Sequence, residues 1–164
     1  VQDVGNSVLL EHLNLTVPDQ RLATLFYISG LGLTRDPWLV TGVDNMWVNA
    51  GRTQFHLPIG VAQRVRGLIG LVLPDLPAVL MRLAKIAPML SGTAFECREY
   101  PDHLDLVCPW GNRIRCHRPD PQRFGRTALG IVYLETAVPI GAGEGVARFY
   151  REVLGLPGWP LPHG

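Results

Sequence analysis

A repeat constrains this chain more than any other feature. The run Leu13-Asn14-Leu15-Thr16-Val17-Pro18-Asp19 returns 56 residues later as Ile69-Gly70-Leu71-Val72-Leu73-Pro74-Asp75, and a third version follows as Leu134-Glu135-Thr136-Ala137-Val138-Pro139. Phe-Tyr-x-x-x-Leu-Gly-Leu begins at Phe26 and again at Phe149. Arg52-Thr53-Gln54-Phe55-His56-Leu57-Pro58 likewise matches Arg113-Ile114-Arg115-Cys116-His117-Arg118-Pro119. The unit is about 50 to 60 residues, so 164 residues hold two complete units and the start of a third. Units this short do not bury an apolar face alone, and neighbours must cover it.

Periodicity and punctuation order the elements inside a unit. Residues 11 to 17 alternate polar and apolar, Asp19 is placed to cap a helix over 20 to 30, and Gly30 and Gly32 end it. Strands are expected near 33 to 40, 45 to 50 and 53 to 58. The second unit repeats this with strands near 67 to 73, 94 to 100, 103 to 108 and 113 to 118, and a helix over 76 to 90 that Pro88 ends or kinks. Unit boundaries of 9–60 and 66–119 follow, with a strand and helix of an incomplete third unit in 129–164.

Alternation also sorts side chains by face. His12, Asn14 and Thr16 share one face of the first strand, Gln54 and His56 one face of the last, and Trp47 and Asn49 join them on the neighbouring strand. In the second unit His103 and Asp105 fall together, as do Arg113, Arg115 and His117. The second unit's first strand carries Leu68, Gly70 and Val72 instead of polar residues.

The His12-to-Asp19 strand, the Phe26-Tyr27…Leu31-Gly32-Leu33 helix end, the Asn45-to-Pro58 hairpin and their copies resemble the vicinal oxygen chelate superfamily of glyoxalases, bleomycin-resistance proteins and extradiol dioxygenases, over about 12 to 156. The resemblance implies an α+β fold in which paired βαβββ modules form an incomplete barrel around a cavity, followed here by the start of a third module. Carried over position by position, the family's metal ligands fall on His12, His56, Leu68 and His117, with Leu68 unable to coordinate. His12, His56 and His117 are therefore the implied ligands of a divalent ion (Zn, Ni, Fe or Mn), if the protein uses one. With no carboxylate at these positions, the iron site of the dioxygenases is not assembled. Asn14, Trp47, Asn49, Gln54, Asp105 and Arg115 are the implied substrate-binding residues, and no catalytic residue is assigned. Arg113 or Arg115 would give the cavity an anion preference.

Two functions stay open at this point. In one, a metal polarises two neighbouring oxygens of a small substrate, as in a lyase or isomerase of the glyoxalase type. In the other, the module binds a small ligand without catalysis, as in bleomycin resistance, or forms the structural half of a four-module protein. The third unit needs cover from chain continuing beyond residue 164, which is the favoured reading, or from docking on its own first two units or on a second copy. Tyr133 would occupy the place of His12 there. A homodimer is an open option. Charge gives no support for nucleic acid or a membrane surface as partner, with 15 basic and 14 acidic residues dispersed along the chain. Cys97, Cys108 and Cys116 read as small buried hydrophobes in a cytoplasmic protein, Gly141–Gly145 as a flexible lead into a helix, and Glu96 and Glu99 as charges on an edge strand.

Overall fold

The computed structural model describes residues 10–39 and 42–161. The first unit contains β1 (His12–Asn14), α1 (Gln20–Ala23) continuing as a π-helical segment Thr24–Gly30, then β2 (Thr34–Arg35), β3 (Asn45–Ala50) and β4 (Thr53–Pro58). The second contains β5 (Gly67–Val72), α2 (Leu76–Ile86) with a 3-10 turn Ala87–Leu90, β6 (Glu96–Glu99), β7 (His103–Val107) and β8 (Arg113–His117). After a short α3 (Pro121–Phe124) come β9 (Gly130–Thr136) and α4 (Gly143–Glu152). The repeated Pro-Asp is a helix start in both units. Asp19 accepts from the Arg21 and Leu22 amides, and Asp75 from the Ala78 amide at 2.9 Å.

The two units share one topology. The first strand runs parallel to the last, the last antiparallel to the third, and the third antiparallel to the second. Sheet orders are β1-β4-β3-β2 and β6-β7-β8-β5-β9. The architecture is the α+β arrangement of βαβββ modules expected from the repeat. One continuous apolar core joins the units, running from Leu15, Phe26, Tyr27 and Phe55 to Ile69, Leu83, Ile114 and Cys116. The helices meet at Gly30, where an added Cβ would lie 2.8 Å from the terminal methyls of both Leu83 and Ile86, so a side chain here would require both to move. Arg82 ties the contact by donating to the Gly30 and Leu31 carbonyls at 3.2 Å each, satisfying acceptors left over at a helix end. No helix among the described residues is long and apolar enough to cross a membrane.

Three sequence expectations need correction or completion. Among the described residues the strand expected near 33 to 40, whose last residue lies outside them, is only Thr34–Arg35, because the Asp36 carboxylate takes the Trp38 and Leu39 amides, both at 2.8 Å, and turns the chain out of the sheet. The helix expected over 76 to 90 is α-helical only to Ile86, and Pro88 lies in the 3-10 turn that ends it. The start of the third unit has cover on one side: β9 pairs antiparallel with β5, opposing Tyr133 to Gly70. The cysteines are free thiols, with Cys108 and Cys116 fully buried, and Glu96 and Glu99 sit exposed on the edge strand β6.

Candidate functional site

The first sheet has a buried face and a polar face, as alternation requires. Met46, Val48, Phe55 and Leu57 are essentially inaccessible, whereas Asn45, Trp47, Asn49, Gln54 and His56 are half-buried on the opposite side. The ladder sets Trp47 opposite His56 and Asn49 opposite Gln54. Trp47 stacks on His56 with ring centroids 4.0 Å apart and planes within 8° of parallel, and His12 meets the indole edge-on at 5.1 Å. The His12 and His56 centroids are 6.4 Å apart. This cluster gathers three of the expected residues.

Its electrostatics keep one imidazole neutral. Partial desolvation, and then the neighbouring His12, push the His56 pKa below the ordinary imidazole value. His56 Nε2 lies 3.2 Å from Asn45 Oδ1, and His12 Nδ1 contacts the Glu11 carboxylate. A carboxylate on Nδ1 holds that nitrogen as the donor. Gln54 donates to Asn49 at 2.6 Å and to Asp36 at 3.0 Å, so the two expected polar contacts are bonded to each other. The Trp47 Nε1 hydrogen is buried with no acceptor among the described residues.

On the second sheet Asp105, Arg115, His103 and His117 are already paired. Arg115 gives Asp105 a two-pronged bond, 2.7 Å from Nε and 2.9 Å from Nη2, and this partner pulls the Asp105 carboxyl below its usual range. His103 Nε2 lies 3.6 Å from Asp105 Oδ1, its Nδ1 lies 2.7 Å from Asp102, and its ring stacks on Tyr100. His117 is buried, 3% exposed, and its Nε2 lies 2.9 Å from the Tyr133 hydroxyl. Burial first, then the Arg123 charge, lower the His117 pKa to about 4. The Tyr133 phenol is pushed up by its own burial and stays protonated.

The hydrogen-bond ladders revise one equivalence. His12 faces Gln54, two residues before His56, and the residue facing Arg115, two before His117, is Gly70. Gly70, not Leu68, therefore takes the place of His12. Alignment on Pro-Asp misses this because the first unit has two more residues between strand and cap: the Leu15 amide bonds to His56 and the Leu73 amide to His117. The space freed at Gly70 is filled by Tyr133, whose ring atoms lie 2.3 to 2.5 Å from where a Cβ would stand.

The expected metal set is thus divided. His12 and His56 share the first sheet, while His117 is bonded to Tyr133 on the second, and among the described residues no group of three or more His, Cys, Asp or Glu side chains is placed to hold a metal ion. Two imidazole donors fall short of the three a catalytic zinc site uses. Tyr133 and Asp36 complete these networks but were not among the expected site residues. For Tyr133 the signal existed in its match to the His12 position of the repeat. For Asp36 it lay in the Asp-Pro turn, although its reach to Gln54 depends on the sheet.

No family model matches the chain, and no curated protein does so. Solved structures do. The fosfomycin resistance protein FosX from Mesorhizobium loti is similar at 14% identity and TM-score 0.53, covering 73% of this chain and 99% of that one. FosX from Listeria monocytogenes gives 14% and 0.54, covering 74% and 99%. A candidate dioxygenase from Bacillus subtilis gives 14% and 0.58 over 93% of this chain, which spans 56% of that protein. The chain shares the fold of these structures. One structure of a Listeria FosX mutant, at TM-score 0.53 and 11% identity over 71% of this chain and 97% of that one, holds Mn(II) and 1S,2S-dihydroxypropylphosphonic acid.

Proposed function

We propose that this chain binds a small oxygen-bearing molecule on the polar face of the first sheet, against the His12–Trp47–His56 cluster. The observation that carries this is the stacked indole and neutral imidazole, 4.0 Å apart, beside the exposed His12. An aromatic wall supplies contact area and the imidazoles supply hydrogen bonds to ligand oxygens. Catechol, which joins a ring to two adjacent oxygens, is a suitable probe. Titration should quench tryptophan fluorescence saturably, Trp47→Phe should remove that signal, and His12→Ala with His56→Ala should weaken binding at least about tenfold, or about 1.4 kcal/mol. Unchanged affinity in the double variant overturns the reading.

A metal-dependent lyase or isomerase is the second reading, favoured by the carboxylate on His12 Nδ1 and the neutral His56. A divalent ion, when bound, would act as a Lewis acid. The described residues offer it two imidazole donors, so at least one more ligand must come from elsewhere, and no step is routed through it. Calorimetric titration of untagged protein with Zn²⁺, Ni²⁺ and Mn²⁺ separates the readings. Binding that is lost in His12→Ala and His56→Ala supports the metal, and its absence removes it.

A further inference from the structure

We propose that Asp36 orients the Gln54 amide so that its carbonyl oxygen is the group offered to a ligand, and that the polar face of the first sheet therefore selects a hydroxyl over an ether or a carbonyl. Asp36 is then a positioning residue and Gln54 a specificity-determining one. The inference rests on the ligand site proposed above and names the chemical group that this site prefers.

Gln54 stands where three strands bring the site together. Its Cα partner on β1 is His12 and on β3 is Asn49, and His56 follows two residues later on the same face. Both hydrogens of its amide are committed. Nε2 donates to Asp36 Oδ2 at 3.0 Å and to Asn49 Oδ1 at 2.6 Å. Asp36 dictates this orientation, because an ionised carboxylate accepts hydrogen bonds and donates none, so only the nitrogen end of the Gln54 amide can turn toward it. The carboxylate is itself held in place. Its Oδ1 accepts from the Leu39 and Trp38 amides, both at 2.8 Å, and these, followed by the Asn49 and Gln54 side chains, keep the Asp36 carboxyl below its usual range.

What this leaves is the Gln54 carbonyl. Its Oε1 accepts from no group among the described residues, and the buried side-chain atoms without a partner there are the Tyr27 hydroxyl and Trp47 Nε1, so Oε1 is open to solvent. A bound ligand must replace that water. A hydroxyl does so by donating to Oε1 while its own oxygen remains able to accept, whereas an ether or carbonyl oxygen displaces the water and meets Oε1 lone pair to lone pair. The fixed amide thus reads whether the ligand oxygen carries a hydrogen.

The test compares catechol with veratrole, its dimethyl ether, by quenching of tryptophan fluorescence in the whole chain. Catechol should bind at least about tenfold more tightly. Gln54→Met, which removes the carbonyl and keeps the side chain's length, should bring the ratio of affinities close to unity. Asp36→Asn keeps an oxygen for the Leu39 and Trp38 amides but turns an NH₂ group toward Gln54, so the Gln54 amide rotates and offers its hydrogens instead. There the ratio should shift toward veratrole by at least about tenfold, a change that loss of structure alone does not produce, and circular dichroism checks the fold of both variants. A preference caused by methyl bulk would persist in both variants and overturn the proposal, as would equal affinities in the unmutated protein. An unchanged ratio in Asp36→Asn alone overturns the orienting role. In each of these cases catechol still binds and the ligand site stands, whereas no saturable catechol binding overturns the site and this inference together.

Discussion

His12 and Gly70 hold the same ladder position in two copies of one module, and their surroundings differ. In the first unit the position carries an exposed imidazole beside His56 and Trp47, on a strand that forms the edge of its sheet among the described residues. In the second it carries no side chain, and Tyr133 from β9 lies over it and reaches His117. One copy keeps His12 exposed beside Trp47, and the other has His117 bonded to Tyr133 and Arg115 closed on Asp105. The two copies share a backbone topology while their side chains differ, because the ladder depends on main-chain groups and the face chemistry does not.

The comparison breaks if the two faces respond alike to change. The largest expected effect is acid loss of stability through His117. Its folded pKa, about 4, lies below the ordinary value near 6.5, so the buried neutral ring contributes stability in full above pH 6.5, and this is lost as pH falls toward 4. The loss is on the order of 3 kcal/mol, measurable from urea midpoints between pH 7 and pH 4. NMR titration should show His117 uncharged at pH 5. A normally titrating His117 would mean that β9 does not cover the second sheet.

Next is Gly70→Val. Its side chain would occupy the Tyr133 ring position, forcing β9 away at an expected cost of about 2 kcal/mol. His12→Val, at the equivalent but exposed position, should change stability by less than about 0.5 kcal/mol. Equal costs in chemical denaturation would erase the distinction drawn here.

Smaller still is Asp105→Asn. It leaves Arg115 without its carboxylate and should cost about 1 kcal/mol near neutral pH. The Asp105 pKa is depressed by Arg115, so this contribution is present above the ordinary carboxylate range and disappears as pH falls through the lowered folded value. The variant and the unmutated protein should converge in stability at the acid end, and persistence of the gap there would contradict the ion pair. On the first sheet, Asn14→Ala is expected to stay within about 0.5 kcal/mol, since Asn14 is exposed.

Much of this was legible in the residues themselves. The two Pro-Asp caps, the hairpins and the polar face of the first sheet follow from local periodicity and turn chemistry, which act within a few residues. The candidate site was legible in part, because His12, Trp47 and His56 fall on one face by strict alternation of neighbouring strands. The grouping of His117 with them came from the resemblance and not from alternation, which places a residue on a face without saying which other sheet that face meets.

The sequence by itself determined the module: its repeat, its element order, its helix starts, and which side chains face away from the core. Tertiary structure alone decided the rest. Register between distant strands put Gly70 rather than Leu68 at the His12 position, and the two-residue difference before the caps hid this from linear alignment. Pairing of β9 with β5 brought Tyr133 onto Gly70 and His117, across 63 residues of chain in the first case and 16 in the second. Asp105 claimed the Arg115 fork that was expected to meet a ligand. These outcomes depend on backbone hydrogen bonds and space between elements far apart in the chain, which no local pattern encodes.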